Sequence, residues 1–130
     1  MYIKEIIKIA KNVRKNSYAP SSKYYVGVAL VCKNGNVYSG CNIENHGLMS
    51  ICAERVAFTK AISEGEKEFS YIVICGGSSL DELEECLPCG YCRQFMSEFV
   101  DENFIIYSID NNENIKEYKI IDLLPYSFKI

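Results

Sequence analysis

The chain is predicted to adopt an α/β fold around a mixed sheet of five strands whose last two run antiparallel. Three observations predict it. Residues 69–75 form a nearly continuous apolar run, the pattern of a strand covered on both faces. Helical stretches stand on either side of it, at 51–63 and at 89–100. Finally, only Asp110-Asn111-Asn112-Glu113-Asn114 separates the strands at 104–109 and 115–120. A link that short cannot make a parallel crossover, so the pair must be antiparallel.

The elements follow in order. Over residues 2–15, Ile3, Ile6, Ile7, Ala10 and Val13 recur at helical spacing with Lys4, Lys8, Lys11 and Lys15 between them, which gives an amphipathic helix with a solvated basic face. Tyr18-Ala19-Pro20-Ser21-Ser22 breaks the pattern. Residues 24–33 and 36–42 read as strands joined by Asn34-Gly35, a strong hairpin signal. The helix at 51–63 ends at Glu64-Gly65. It serves as a crossover, which makes the strand at 69–75 parallel to an earlier one. An exposed loop rich in Gly, Ser and acidic residues precedes the helix at 89–100. Pro125 ends a short helical turn after the last strand, leaving Phe128 on an irregular tail.

At 130 residues the chain is read as one domain, 1–130. Fourteen Lys and Arg against seventeen Asp and Glu give a net charge of −3, without the basic stripe of a nucleic-acid binder. No run is long enough to span a membrane, and Lys4, Glu5 and Lys8 interrupt any signal peptide. Seven cysteines, an odd number, point to thiols used for metal in a reducing cytoplasm.

The chemistry concentrates in Cys52-Ala53-Glu54-Arg55 and Pro88-Cys89-Gly90-Tyr91-Cys92. If both stretches open helices packed side by side, Cys52, Cys89 and Cys92 converge as three ligands of a tetrahedral zinc, with a fourth position left for water. Glu54 is then a carboxylate beside the metal that need not bind it and is free to move protons. Three thiolates on a divalent ion leave the centre at −1. Arg55 offsets this if it donates to a ligand sulfur; otherwise it is a surface ion-pair residue. Cys86 offers a further thiol, which keeps a closed four-cysteine structural zinc in play, and more remotely an iron–sulfur centre; both leave Glu54 without a purpose. Cys32, Cys41 and Cys75 fall in strands as small core residues.

Cys-x-Glu followed by Pro-Cys-x-x-Cys is the zinc-deaminase signature with Cys52 in place of its histidine. With the flanks Cys41-Asn42-Ile43-Glu44-Asn45, Cys92-Arg93-Gln94, Tyr18-Ala19-Pro20 and Leu123-Leu124-Pro125-Tyr126-Ser127-Phe128, the chain resembles the small, homotetrameric cytidine deaminases from about residue 18 to 128. The resemblance implies a three-layer α/β/α sandwich and one catalytic Zn2+. It implies hydrolytic deamination of cytidine and deoxycytidine, with Glu54 as proton shuttle. It assigns Tyr24 to stacking on the pyrimidine, where Phe is usual, and Asn42 and Glu44 to the sugar. Ala53 joins the substrate-binding set. Phe128 is placed in the pocket of an adjacent subunit. On the residues alone, Tyr24 fits a core aromatic, Asn42 with Glu44 fits a solvated strand edge, and Phe128 fits a tail folded back on its own domain.

The antiparallel last pair fits the free-nucleoside branch, since the transfer-RNA and polynucleotide deaminases place a helix there and run the strands parallel. One departure stands out. The loop at 45–51 is one residue shorter than usual and carries His46-Gly47, where a pocket-lining or interface role suits His46 better than a fourth metal ligand. The runner-up within the enzyme class is a deaminase of another aminopyrimidine nucleoside such as blasticidin S.

Overall fold

The computed structural model describes residues 2–46 and 49–128. Five strands form one sheet in the order β2-β1-β3-β4-β5: β1 (Tyr25–Cys32), β2 (Val37–Cys41), β3 (Phe69–Gly77), β4 (Ile105–Ile109) and β5 (Ile115–Lys119). The helices are α1 (Ile3–Val13), α2 (Ala53–Ser63), α3 (Gly90–Ser97) and the single turn α4 (Ile120–Leu123). The pair β3–β4 is parallel and every other pair is antiparallel, β4–β5 included. No helix among the described residues is long and apolar enough to cross a membrane.

Strand side chains alternate between faces, and here both faces are covered. Val28, Leu30, Ile72, Ile74 and Ile106 pack with Ala57, Phe58, Ala61 and Met96 of α2 and α3. Ala29, Val31, Val73, Cys75 and Ile109 pack on the opposite side against Ile6 and Ala10 of α1. The result is the three-layer sandwich, with a continuous apolar β3 through its centre. Phe58 is the hub of the α2 side, its ring within 5.0 Å of Phe69 and 6.1 Å of Phe104, centroid to centroid. Gly40 lets α2 close onto β2: a Cβ there would fall 2.6 Å from Ala53 O and 2.7 Å from Ala57 N. That contact fixes where α2 begins.

Two features go beyond the sequence expectations. The crossover does set the direction of β3, which runs parallel to β2. Its hydrogen-bonded neighbour, however, is β1, antiparallel, because β1 lies between β2 and β3. The first helix gives way at Val13 to a tighter 3-10 turn at Arg14–Asn16, and Arg14 is 3% exposed. It donates to Tyr25 O at 2.8 Å and Ser79 O at 2.6 Å. Burial works against its charge, and three backbone acceptors, with Leu80 O the third, hold it in place.

Candidate active site

The two chemistry-bearing stretches start two adjacent helices. Cys52 is the extended residue just before α2, and its carbonyl accepts from Val56 N at 3.1 Å. Cys89 has the same position before α3, where its Sγ accepts from Cys92 N at 3.5 Å. A thiol thus does the capping usually left to Ser or Asp. Both helix starts carry partial positive charge, which favours thiolate over thiol.

The three sulfurs meet. Cys52 Sγ lies 3.7 Å from Cys89 Sγ, and Cys89 Sγ lies 3.4 Å from Cys92 Sγ. Among the described residues this is the group of His, Cys, Asp or Glu side chains that can hold a metal ion. Sulfurs bound to one tetrahedral zinc stand about 3.8 Å apart, from Zn–S bonds of about 2.3 Å. The spacing fits zinc, and so does the all-thiol donor set. Cys92 and then Arg55 hold the Cys52 thiol down to about 5, while its share of that proton and its burial push Cys92 up.

Glu54 sits in the first turn of α2, 4% exposed, beside the cluster but not part of it. Burial pushes its carboxyl up to about 7, and Cys52 adds to this, against the pull of its own backbone amide and Arg55. Ala53 beside it is fully buried. Arg55 turns to the sulfurs rather than to a surface carboxylate, its Nη2 3.7 Å from Cys52 Sγ. Burial works against the guanidinium, yet Cys52 and Cys92 outweigh that and raise its pKa.

Cys86 stands apart from the cluster. It is buried under β3, its amide donating to Ser108 Oγ at 3.2 Å, and burial followed by the nearby Glu54 pushes its thiol up to about 12. This geometry speaks against a four-cysteine site. Tyr24 packs on the α2-side core next to Cys86, and burial first, then Cys86, keeps its hydroxyl protonated. Of the other cysteines, Cys32 and Cys75 are buried and Cys41 is half-buried.

Asn42 and Glu44 both reach the 18–26 segment, though not as open sugar ligands. Asn42 donates to Tyr24 O at 2.8 Å and accepts from Val26 N at 2.9 Å. Glu44 accepts from Ser21 N at 2.9 Å, Ser22 N at 3.1 Å and the Ser22 hydroxyl. The exposed His46 falls outside the metal cluster, and Gly47 lies outside the described residues. Phe128 is 69% exposed, and its carbonyl accepts from Gln94 Nε2 of α3 at 3.0 Å.

Two residues escaped sequence reasoning. Arg93 ties α3 to both its neighbours, donating to Pro88 O at 2.7 Å and to Leu123 O at 2.9 Å. Tyr91 stacks on Arg55, with Cζ 4.3 Å from the ring centroid. Its one signal was a large aromatic wedged between two ligands.

Comparison with known proteins agrees with this geometry. Residues 2–108 match the family model of the cytidine and deoxycytidylate deaminase zinc-binding region. The cytidine deaminase of Sporosarcina psychrophila is 37% identical over 129 residues, covering 98% of this chain and 92% of that protein. A blasticidin-S deaminase from Bacillus cereus is 30% identical over 129 residues, covering 95% and 90%. The crystal structure of cytidine deaminase from Burkholderia pseudomallei superposes with a TM-score of 0.89 at 34% identity, covering 98% of this chain and all of that one. With its thiol cluster, its adjoining buried carboxyl and its sheet order in place, the chain belongs to the cytidine and deoxycytidylate deaminase family of zinc-binding enzymes.

Proposed function

We propose that this enzyme converts cytidine and deoxycytidine to uridine and deoxyuridine with release of ammonia. The observation that carries the reading is the placement of Glu54, buried in the first turn of α2 two residues after Cys52 yet not among the three convergent thiols. Cys52, Cys89 and Cys92 would hold the zinc. When bound, it supplies Lewis-acid activation of water at neutral pH.

The remaining work falls to side chains. Glu54 takes one proton from the attacking water on a carboxylate oxygen and delivers it to N3 of the pyrimidine, leaving C4 electron-poor. Once the water oxygen has bonded to C4, Glu54 carries the second proton to the exocyclic nitrogen. The C4–N bond breaks, ammonia leaves, and the 4-oxo base remains. Tyr24, on the Cys86 side of the pocket, faces the ring. Ala53 contributes to the wall beside Glu54, and Arg55 offsets the excess negative charge of three thiolates.

Free nucleosides suit the site better than polynucleotides. The antiparallel β4–β5 pair matches the free-nucleoside branch, and the net charge of −3 with a carboxylate at Glu44 disfavours a phosphate backbone. Asn42 and Glu44 would meet the sugar hydroxyls by exchanging some of their present backbone partners. The exposed Phe128 supports a homotetramer in which each tail covers a neighbour's pocket. Seven free thiols accord with a reducing cytoplasm.

Ammonia release from cytidine, deoxycytidine, cytosine and blasticidin S, measured side by side, tests the assignment. Turnover of the first two supports it. Turnover of blasticidin S alone replaces it with the activity named for the Bacillus cereus relative.

A further inference from the structure

Arg55 and Tyr91 lie in the first turns of α2 and α3, each flanked by the thiols of the cluster. The Arg55 guanidinium is sandwiched between them. On one side its Nη2 reaches Cys52 Sγ at 3.7 Å and Ser50 O at 3.5 Å. On the other, the Tyr91 ring centroid lies 4.3 Å from Cζ. Among the described residues, Arg55 Nε is buried without an acceptor. Long, weak hydrogen bonds therefore do not hold this group by themselves; the ring completes its seat. Tyr91 is 66% exposed and makes that contact from the surface rather than from the core.

We propose that Tyr91 is a positioning residue for the metal centre, clamping Arg55 against Cys52 and so slowing the loss of zinc. The inference rests on the ligand set proposed above. Its physical basis is charge. Three thiolates carry one negative charge more than zinc neutralises, so the sulfurs repel one another and hold the ion less firmly unless a cation stands beside them. An aromatic face attracts that cation directly. It also removes water from one side of the guanidinium, and the attraction to sulfur grows as the effective dielectric falls. Without the ring, Arg55 is free to swing toward solvent, and the thiolates lose their counter-charge.

The test measures zinc transfer from the purified holoenzyme to a chromogenic chelator. Tyr91→Leu keeps bulk and apolar cover but lacks the π face, while Tyr91→Phe keeps the face. Tyr91→Leu should release zinc about 3–30-fold faster, the range a cation–π contact of this kind spans. Tyr91→Phe should match the wild type. In an Arg55→Gln background Tyr91→Leu should add nothing. Tyr91→Gln repeats the measurement should the leucine variant be poorly soluble. Wild-type release from both Tyr91→Leu and Tyr91→Gln overturns the proposal, and so does an undiminished effect without Arg55. Zinc content separates the two readings: full zinc in Cys92→Ser refutes the ligand set, whereas fully loaded Tyr91 variants with unchanged release refute only the clamp.

Discussion

Gly76 makes room for Cys86. A Cβ on Gly76 would fall 2.7 Å from Cys86 Sγ, 2.9 Å from Cys86 Cβ and 3.4 Å from Tyr24 Cε2. The floor under Tyr24 thus depends on a missing methyl in β3. Gly76→Ala forces the thiol and the ring to shift in a packed layer, a strain of about 1–3 kcal/mol. The urea midpoint should fall accordingly, and KM for cytidine should rise as Tyr24 moves. An unchanged KM would show that Tyr24 does not face the base.

The ligand assignment separates the cysteines into two classes. Cys52→Ser, Cys89→Ser and Cys92→Ser should each lose zinc on dialysis, because each removes one of three sulfurs within reach of a common ion. Cys86→Ser should keep it. Metal analysis of the four variants decides, and zinc loss from Cys86→Ser on a par with Cys89→Ser would revive the four-cysteine alternative.

For Glu54, Glu54→Gln retains shape and hydrogen bonding but cannot accept a proton. Turnover should drop by at least about 10²–10⁴-fold, the usual contribution of a positioned acid–base group, with zinc content unchanged. Substantial turnover in a zinc-replete Glu54→Gln sample would sink the mechanism.

A shared pocket is open to complementation. Glu54→Ala and Phe128→Ala, unfolded and refolded together, should form mixed tetramers in which some pockets hold an intact Glu54 and a neighbour's Phe128. Activity above the sum of the parents is expected. Strict additivity, with subunit exchange verified, argues that the tail serves its own chain.

Glu66 gives the hairpin a pH dependence of defined sign. Asn36 Nδ2 donates to it at 2.7 Å, Tyr38 OH at 2.8 Å and Asn34 Nδ2 at 2.9 Å. These bonds, Asn36 first and Tyr38 next, hold its carboxyl below the usual range. A depressed folded-state pKa means stability that is present above the unfolded value and lost as pH falls through the folded one. Glu66→Gln should therefore flatten the acid limb of a stability–pH curve and leave the neutral plateau's slope unaltered.

The convergence of the three thiols was legible because its geometry is local. Cys-x-x-Cys at a helix start and a Cys-x-Glu at another fix sulfurs and carboxylate by helical geometry alone. The hairpin and the last antiparallel pair were legible for a similar reason, since short links permit few topologies. Sequence was silent where the answer lay between elements. The direction of β3 follows from its crossover, but its neighbour depends on β1 lying between β2 and β3. Arg14 follows Ile7 and Ala10 on the inward face, yet its charge gives no hint of burial; its partners, the backbone carbonyls of Tyr25, Ser79 and Leu80, come from distant segments. The Tyr91–Arg55 contact joins residues on different helices, which no spacing rule relates. Asn42 and Glu44 fall just beyond the end of β2, and their present partners, backbone groups of residues 21–26 and the Ser22 hydroxyl, are ones that no pattern encodes.

The convergence of Cys52 with Cys89 and Cys92 has a thermodynamic side as well. An ion shared by Cys52 and Cys89 ties together points 37 positions apart, so it closes a large loop in any expanded form of the chain and lowers that form's entropy, much as a covalent cross-link does. The tie also crosses between helix starts, the places where helices fray first. Opening the first turn of either α2 or α3 then means giving up the ion. Ligand retention and the integrity of those two turns become a single equilibrium, and hydrogen exchange at the amides of Val56 and Arg93, whose acceptors are the carbonyls of Cys52 and Cys89, should slow as zinc is added.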